Sequence, residues 1–94
     1  MSEVSSDMIF VPTSKAAYRR IGDEIVIVNT QNNTLLTLNE TGSRIWTILD
    51  GRSVAQVAAS LSEEYEIALE VAVEDTIDFI NELSLRGLID QKND

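Results

Sequence analysis

Apolar positions along this chain fall into two kinds of run, short alternating ones before Asn39 and helical ones after it. Ala17-Tyr18-Arg19-Arg20-Ile21 mixes apolar and basic residues and ends at Gly22-Asp23, a pair suited to a tight turn. Ile25-Val26-Ile27-Val28 is β-branched throughout and apolar at odd and even positions alike, which suits the middle strand of a small sheet. Asn29 to Asn33 is polar without a break and reads as a hairpin loop. Thr34-Leu35-Leu36-Thr37-Leu38 makes a third strand. Side chains alternate faces along it, so Leu36 and Leu38 share one face, the first choice for the core, and Leu35 and Thr37 share the other. Ahead of these strands, residues 1–14 read as a flexible N-terminal arm. Its apolar cluster Met8-Ile9-Phe10-Val11 meets Pro12, which suits the end of a short edge strand. That cluster fits either a partly ordered arm or a contact with a partner or second copy.

Three helices are predicted after the strands. Asn39 caps a helix from about Glu40 to Leu49, in which Gly42, Ile45, Trp46 and Leu49 form one apolar face, and Asp50-Gly51 stops it. Trp46 is read as a core anchor. Ser53 with Gln56 has the spacing of a capping box. The helix it opens carries Val54, Val57, Ala58 and Leu61 on one face, with Tyr65 completing the stripe. Glu66 to Leu69 connects to a last helix from about Glu70 to Arg86, stopped by Gly87, after which Leu88-Ile89 packs back as a short extended tail. On that last helix Phe79, Ala72, Leu83, Thr76, Leu69, Ile80, Val73 and Ile77 follow one another around an apolar arc of about 160°, wider than the roughly 100° that one packing contact needs. The excess fits wrapping by two neighbours, or a flank that lines a groove. Strands followed by helices in this order give an α+β fold, a three-stranded antiparallel sheet followed by three helices, compatible with a winged helix-turn-helix.

Charge narrows the function. The 94 residues carry a net charge of −9, with 16 Asp and Glu against 7 Lys and Arg. Between Arg52 and Arg86 there is no basic residue, while Glu63, Glu64, Glu66, Glu70, Glu74, Asp75, Asp78 and Glu82 all lie there. Nucleic-acid binding requires cations that displace condensed counterions, and this half repels phosphate. The plain explanation of the acidic run is a solvated helix face. Lys15, Arg19, Arg20, Arg44 and Arg52 precede it and leave a weaker electropositive patch. No apolar run is long enough to span a bilayer, and residues Met1 to Asp7 have no secretory pattern, so a cytoplasmic protein without membrane contact is expected.

Candidate chemistry is sparse. The chain has no cysteine and no histidine, which removes thiolate nucleophiles, disulfides, the usual zinc sites and the commonest general base. No phosphate-cradling glycine loop, calcium loop or serine elbow occurs. Glu63-Glu64 and Glu74-Asp75 are adjacent carboxylates with no sign of a pocket to tune them. The expectation is a binding protein rather than an enzyme, with no catalytic residue, metal or cofactor.

The run Leu38-Asn39-Glu40-Thr41-Gly42, followed by Ile45-Trp46 and Leu49-Asp50-Gly51, resembles the pyrroloquinoline quinone biosynthesis protein D (PqqD) family, the peptide-recognition elements of ribosomally made, post-translationally modified peptide pathways. The likeness includes Ile21-Gly22-Asp23-Glu24, continues through Tyr65 to Asp75, Phe79-Ile80 and Leu83, and ends at Arg86-Gly87-Leu88. Leu35-Leu36 stands where aromatic residues are common in the family, a departure that bears on peptide specificity. The resemblance implies a peptide-recognition domain over residues 15–90, with 91–94 as a tail. It implies a stand-alone module that captures the leader of a precursor peptide as a strand added beside the third strand, in a groove closed by the last helix.

The backbone of Thr34, Leu35, Leu36, Thr37 and Leu38 would then supply the hydrogen bonds. Leu36 and Leu38 would form one wall, and Asp75, Thr76, Phe79 and Ile80 the other, with Val73 and Ile77 as the alternative flank. Asp75 matches an acidic position of the family and would meet a polar or basic group of the leader, unless it is plain surface charge. The implied partners are the leader and a modifying enzyme, either a radical S-adenosylmethionine enzyme or a leader peptidase as in lasso-peptide pathways. The chain itself would be a monomer or weak homodimer. Two other readings compete. One is a winged-helix DNA-binding regulator whose recognition helix is Ser53 to Glu64 or the last helix. The other is a structural or dimerisation subunit without peptide recognition.

Overall fold

The strands fold as two antiparallel sheets. In the computed structural model, which describes residues 4–92, Ala16–Ile21 (β2), Glu24–Asn29 (β3) and Thr34–Leu38 (β4) form a sheet in the order β2-β3-β4. Gly22 takes φ +63° at the first of the two positions between β2 and β3, the backbone of a type II′ hairpin, and a side chain there would be strained. In the next hairpin Asn33 takes φ 60°, which asparagine tolerates better than most residues. The Asn33 N–H donates to the Asn29 carbonyl at 2.7 Å, and the Asn29 side chain accepts the Gln31 N–H at 2.9 Å. Asn29 also donates from its amide to the Arg86 carbonyl at 2.9 Å, tying this hairpin to the end of the last helix.

The helices are Glu40–Ile48 (α1), Val54–Tyr65 (α2) and Leu69–Leu85 (α3), each within a residue or two of its predicted bounds. Asn39 caps α1 by accepting the Gly42 N–H at 2.8 Å. The Ser53–Gln56 capping box closes in both directions at the start of α2. These caps satisfy N–H groups that a helix cannot pair internally. Glu66 ends α2 in the left-handed conformation, φ 53°. Among the described residues no helix is long and apolar enough to cross a membrane.

The core lies between the sheet and the helices. Ile25, Ile27 and Leu38 meet Ile45, Trp46, Leu49, Val54, Val57, Leu61, Ala72, Ile80 and Leu83, all buried, so Trp46 is the core anchor expected of it. Tyr18 sets its ring edge-on to Trp46, centroids 5.5 Å apart. A buried hydroxyl locks sheet to helix: Ser43 accepts the Ile25 N–H at 2.9 Å and donates to the Leu38 carbonyl at 3.2 Å, standing where a direct ladder bond would be.

Within the segment expected as an arm, Phe10–Pro12 forms a strand (β1) that pairs antiparallel with Ile89–Gln91 (β5). Phe10 is buried in the main core, and the carbonyls of Ser6 and Met8 accept the N–H groups of Ala55 and Val54 at the start of α2. Leu88-Ile89 packs inward as expected, but as one half of this ribbon. The cluster Met8 to Val11 thus lies against the chain's own fold, because burying Phe10 and pairing its backbone satisfies both halves of an apolar strand at once. Residues 1–3 and 93–94 of the arm and tail lie outside the described residues.

Candidate functional site

β4 pairs on one side only among the described residues, leaving its second edge open. The phase of the ladder decides which backbone groups face that edge. The Thr30 N–H donates to the Lys15 carbonyl at 2.8 Å, so Thr30 turns its backbone toward β2. Backbone groups alternate along a strand, so Asn29, Ile27 and Ile25 turn theirs toward β4. The position of Ser43 between Ile25 and Leu38 agrees with this phase. Thr34, Leu36 and Leu38, opposite those residues, therefore point their backbone groups at β3. Leu35 and Thr37 turn their N–H and C=O groups to the open edge.

Side chains follow the opposite logic. Leu36 and Leu38 lie on the inner face, Leu36 half-buried and Leu38 buried, while Thr34 is exposed. Leu35, 61% exposed, and Thr37 lie on the outer face. Where β4 runs into α1, the inner face meets α3 through a glycine. A Cβ built on Gly42 would sit 3.1 Å from Cε1 of Phe79 and 3.5 Å from Cβ of Leu38. The absence of a side chain at Gly42 is what lets the Phe79 ring settle beside Leu38. Beside this contact a cavity of about 440 Å³ opens between the start of α1 and α3, lined by Asn39, Thr41, Gly42, Ile45, Asp75, Asp78, Phe79 and Glu82.

The structure therefore brings together Leu38, Phe79 and Asp75 of the residues singled out on β4 and the last helix, with Leu36 on the same face. It separates Thr76 and Ile80 from them. Thr76 is 0% and Ile80 1% exposed, and the Thr76 hydroxyl donates to the Ala72 carbonyl at 2.7 Å inside its own helix. Both belong to the core behind the wall and offer no surface to a ligand, and the Leu38 side chain, only 3% exposed, is likewise taken up by the core. Val73 and Ile77, on the other flank, are half-buried against the core. Sequence reasoning did not single out Asn39, Thr41, Asp78 and Glu82 as lining residues. One signal was available: Asp75, Asp78, Phe79 and Glu82 recur at helical spacing, a stripe beside the apolar arc.

The cavity is acidic. Asp75, Asp78 and Glu82 line it with no basic residue among its walls, and Glu82 also holds Arg86 at 2.7 Å. The other ion pair among the described residues joins Arg44 on α1 to Glu64 on α2, away from the cavity, with Nη2 at 2.7 Å from Oε2. Its hydrogen bond holds the Glu64 carboxyl below the usual range and raises the Arg44 guanidinium. No group of three or more His, Cys, Asp or Glu among the described residues is placed to hold a metal ion.

Two solved structures share this architecture. TbiB1 in complex with the TbiA(beta) leader peptide matches with a TM-score of 0.81 at 26% identity, covering 89% of this chain and 99% of that one. A lasso peptide synthetase B1 complexed with its leader peptide matches with a TM-score of 0.77, also at 26% identity, covering 85% and 95%. No curated protein matches the sequence. The sequence profile of coenzyme PQQ synthesis protein D (PqqD) matches residues 24–89, from the start of β3 into β5, and the chain belongs to that family.

Proposed function

We propose that this protein binds the leader segment of a precursor peptide as a strand added to β4, and delivers it to a modifying enzyme while performing no chemistry of its own. The observation that carries the reading is the uncharged open edge of β4 lying beside a wall on α3. A sheet edge with unpaired N–H and C=O groups is a template for an extended peptide, and pockets for alternate side chains add specificity. Leu35 and Thr37 offer two such pairs of groups. At roughly 1 kcal/mol net for each of four hydrogen bonds, the backbone supplies about half of the 8 kcal/mol that a micromolar complex requires. Leader side chains packed on the half-buried Leu36 and Phe79 supply the remainder, with Asp75 and Asp78 favouring a polar or basic neighbour.

Two neighbours solved with leader peptides bound support the same reading, and they favour a lasso-peptide pathway. In such a pathway the partner is a leader peptidase; a radical S-adenosylmethionine enzyme is the other choice. Holding the leader makes encounter of the core peptide with the enzyme nearly intramolecular, which raises productive delivery without new chemistry. The DNA-binding reading fares worse: α2 and α3 carry no Lys or Arg, and their acids repel phosphate.

Titration of the isolated chain with the leader encoded nearest its gene, followed by amide chemical shifts, tests the proposal. Micromolar or tighter binding with shifts at Leu35, Thr37 and the Asp75–Phe79 flank is expected. A folded chain that shows no shifts at high leader excess would refute it.

A further inference from the structure

The outer face of the sheet is apolar where a solvated face is normally polar. Strand pairing sets Ala17, Val28 and Leu35 in one row, Arg19, Val26 and Thr37 in the next, and Ile21 opposite Glu24 at the turn. The helices pack on the other face, against Ile25 and Ile27, so no helix covers these side chains, and neighbours within the sheet leave Val26 and Val28 half-buried. Ile21 is 60% exposed, much like Leu35. The surface dips into a cavity of about 340 Å³ lined by Ala17, Tyr18, Arg19, Ile21, Val26 and Val28. An antiparallel sheet with one face in water alternates apolar-in and polar-out, and β3 breaks that rule at Val26 and Val28, though not at Glu24. A contiguous apolar patch rimmed by polar groups marks an interaction surface.

We propose that this face docks the enzyme that acts on the precursor, through an apolar protein surface that presents a carboxylate to Arg19. The inference rests on the leader-delivery reading above. Arg19 projects from mid-strand into the patch, and no ion pair among the described residues engages it. Lys15, just ahead of β2, shares its side of the sheet by alternation, whereas Arg20 turns to the helix side and bonds Thr47, so in a chain whose net charge is −9 this face is where an acidic partner surface finds complement. The patch also lies on the opposite side of the sheet from Leu36 and Leu38, so enzyme and leader can be held together, which delivery requires. A second copy is a poor occupant, since it would set Arg19 against the same cationic strand and add another charge of −9.

The test uses the full chain, its fluorescently labelled leader, and the modifying enzyme encoded beside its gene. Val26→Thr with Val28→Thr keeps β-branched side chains and removes apolar surface; Arg19→Glu reverses the charge. Both variants should melt near the wild type and bind leader within about twofold of it, while their affinity for the enzyme falls at least about tenfold. Unchanged enzyme affinity in folded variants would overturn the proposal. So would a wild type that never binds the enzyme, or one that self-associates through this face while the variants are monomeric. Enzyme affinity is measured without leader as well as with it. Failure of leader binding alone therefore strikes the delivery reading and leaves docking to be judged on the enzyme arm.

Discussion

The sheet has two edges, and only one is fit to receive a strand. At the β2 edge the same ladder phase turns the backbone groups of Ala16, Tyr18 and Arg20 outward. The Ala16 N–H is already used by the Thr13 carbonyl at 3.2 Å. Lys15, Arg19 and Arg20 crowd the strand with cations, and Arg20 is anchored to the Thr47 hydroxyl at 3.1 Å. Charged edge strands resist added pairing, a common protection against aggregation. At the β4 edge the sequence Thr-Leu-Leu-Thr-Leu has no charge, two residues turn free backbone groups outward, and Phe79 stands beside the inner face. On the proposed reading, the difference teaches that an open edge becomes a binding site when it is uncharged and when another element stands close enough to grip the side chains of the incoming strand.

Proline gives the sharpest way to break this comparison. Thr37→Pro removes an N–H that faces the open edge, not one used in the ladder with β3, so the fold should persist while leader affinity drops at least about thirtyfold. Arg20→Pro makes the equivalent change at the β2 edge and should leave leader affinity within about twofold. Titration of both variants with the leader decides the matter: if Arg20→Pro abolishes binding and Thr37→Pro does not, the edges have been assigned the wrong way round. Phe79→Ala opens the wall on α3 and should weaken the leader about tenfold, roughly 1.4 kcal/mol, with a loss of stability as well because the ring packs against the core. Binding isotherms alongside thermal melts separate the two effects.

Gly42→Ala acts on the same wall from α1. The new methyl crowds the Phe79 ring at 3.1 Å and the capping Asn39 Oδ1 at 3.2 Å, so each must give by a few tenths of an ångström, while alanine favours a helix interior by about 1 kcal/mol over glycine. Affinity should fall a few-fold with the melting temperature changed little, as the strained Asn39 cap offsets the gain in helix propensity, a split that a simple loss of folding cannot produce. Glu64→Gln is the smallest change and touches neither edge. Because Arg44 lowers the folded-state pKa of Glu64, the pair stabilises the fold above the ordinary carboxylate value of 4.5 and loses that contribution as pH falls through the lowered value. For so exposed a pair the loss in the variant is under about 1 kcal/mol at neutral pH, and the gap to wild type should close in acid. Denaturant melts at neutral and acid pH read this directly, with leader affinity unchanged.

Much of this was legible in the chain. The caps at Asn39 and Ser53, the turn at Gly22-Asp23, the stop at Gly87 and the division of Leu36 and Leu38 from Leu35 and Thr37 all rest on interactions a few residues long, and each stands in the structure. The apolar arc of α3 was legible too, but not its use. Asp75 and Thr76 are neighbours in sequence, yet one lines a cavity and the other is sealed in the core. Which part of a wide arc is covered depends on where α1, α2 and β5 come to rest, and periodicity carries no information on that.

The amino-acid sequence by itself determined the elements, their order, their capped ends, the charged β2 edge and the uncharged β4 edge. Only the tertiary structure decided that Phe10 returns to pair with the chain's end, that Phe79 rests on Gly42 beside Leu38, and that Val26 and Val28 are left on an uncovered face. The physical reason is range. Hydrogen-bond caps, turns and side-chain alternation are settled among near neighbours, whereas burial is settled by whichever distant segment excludes water from a given side chain.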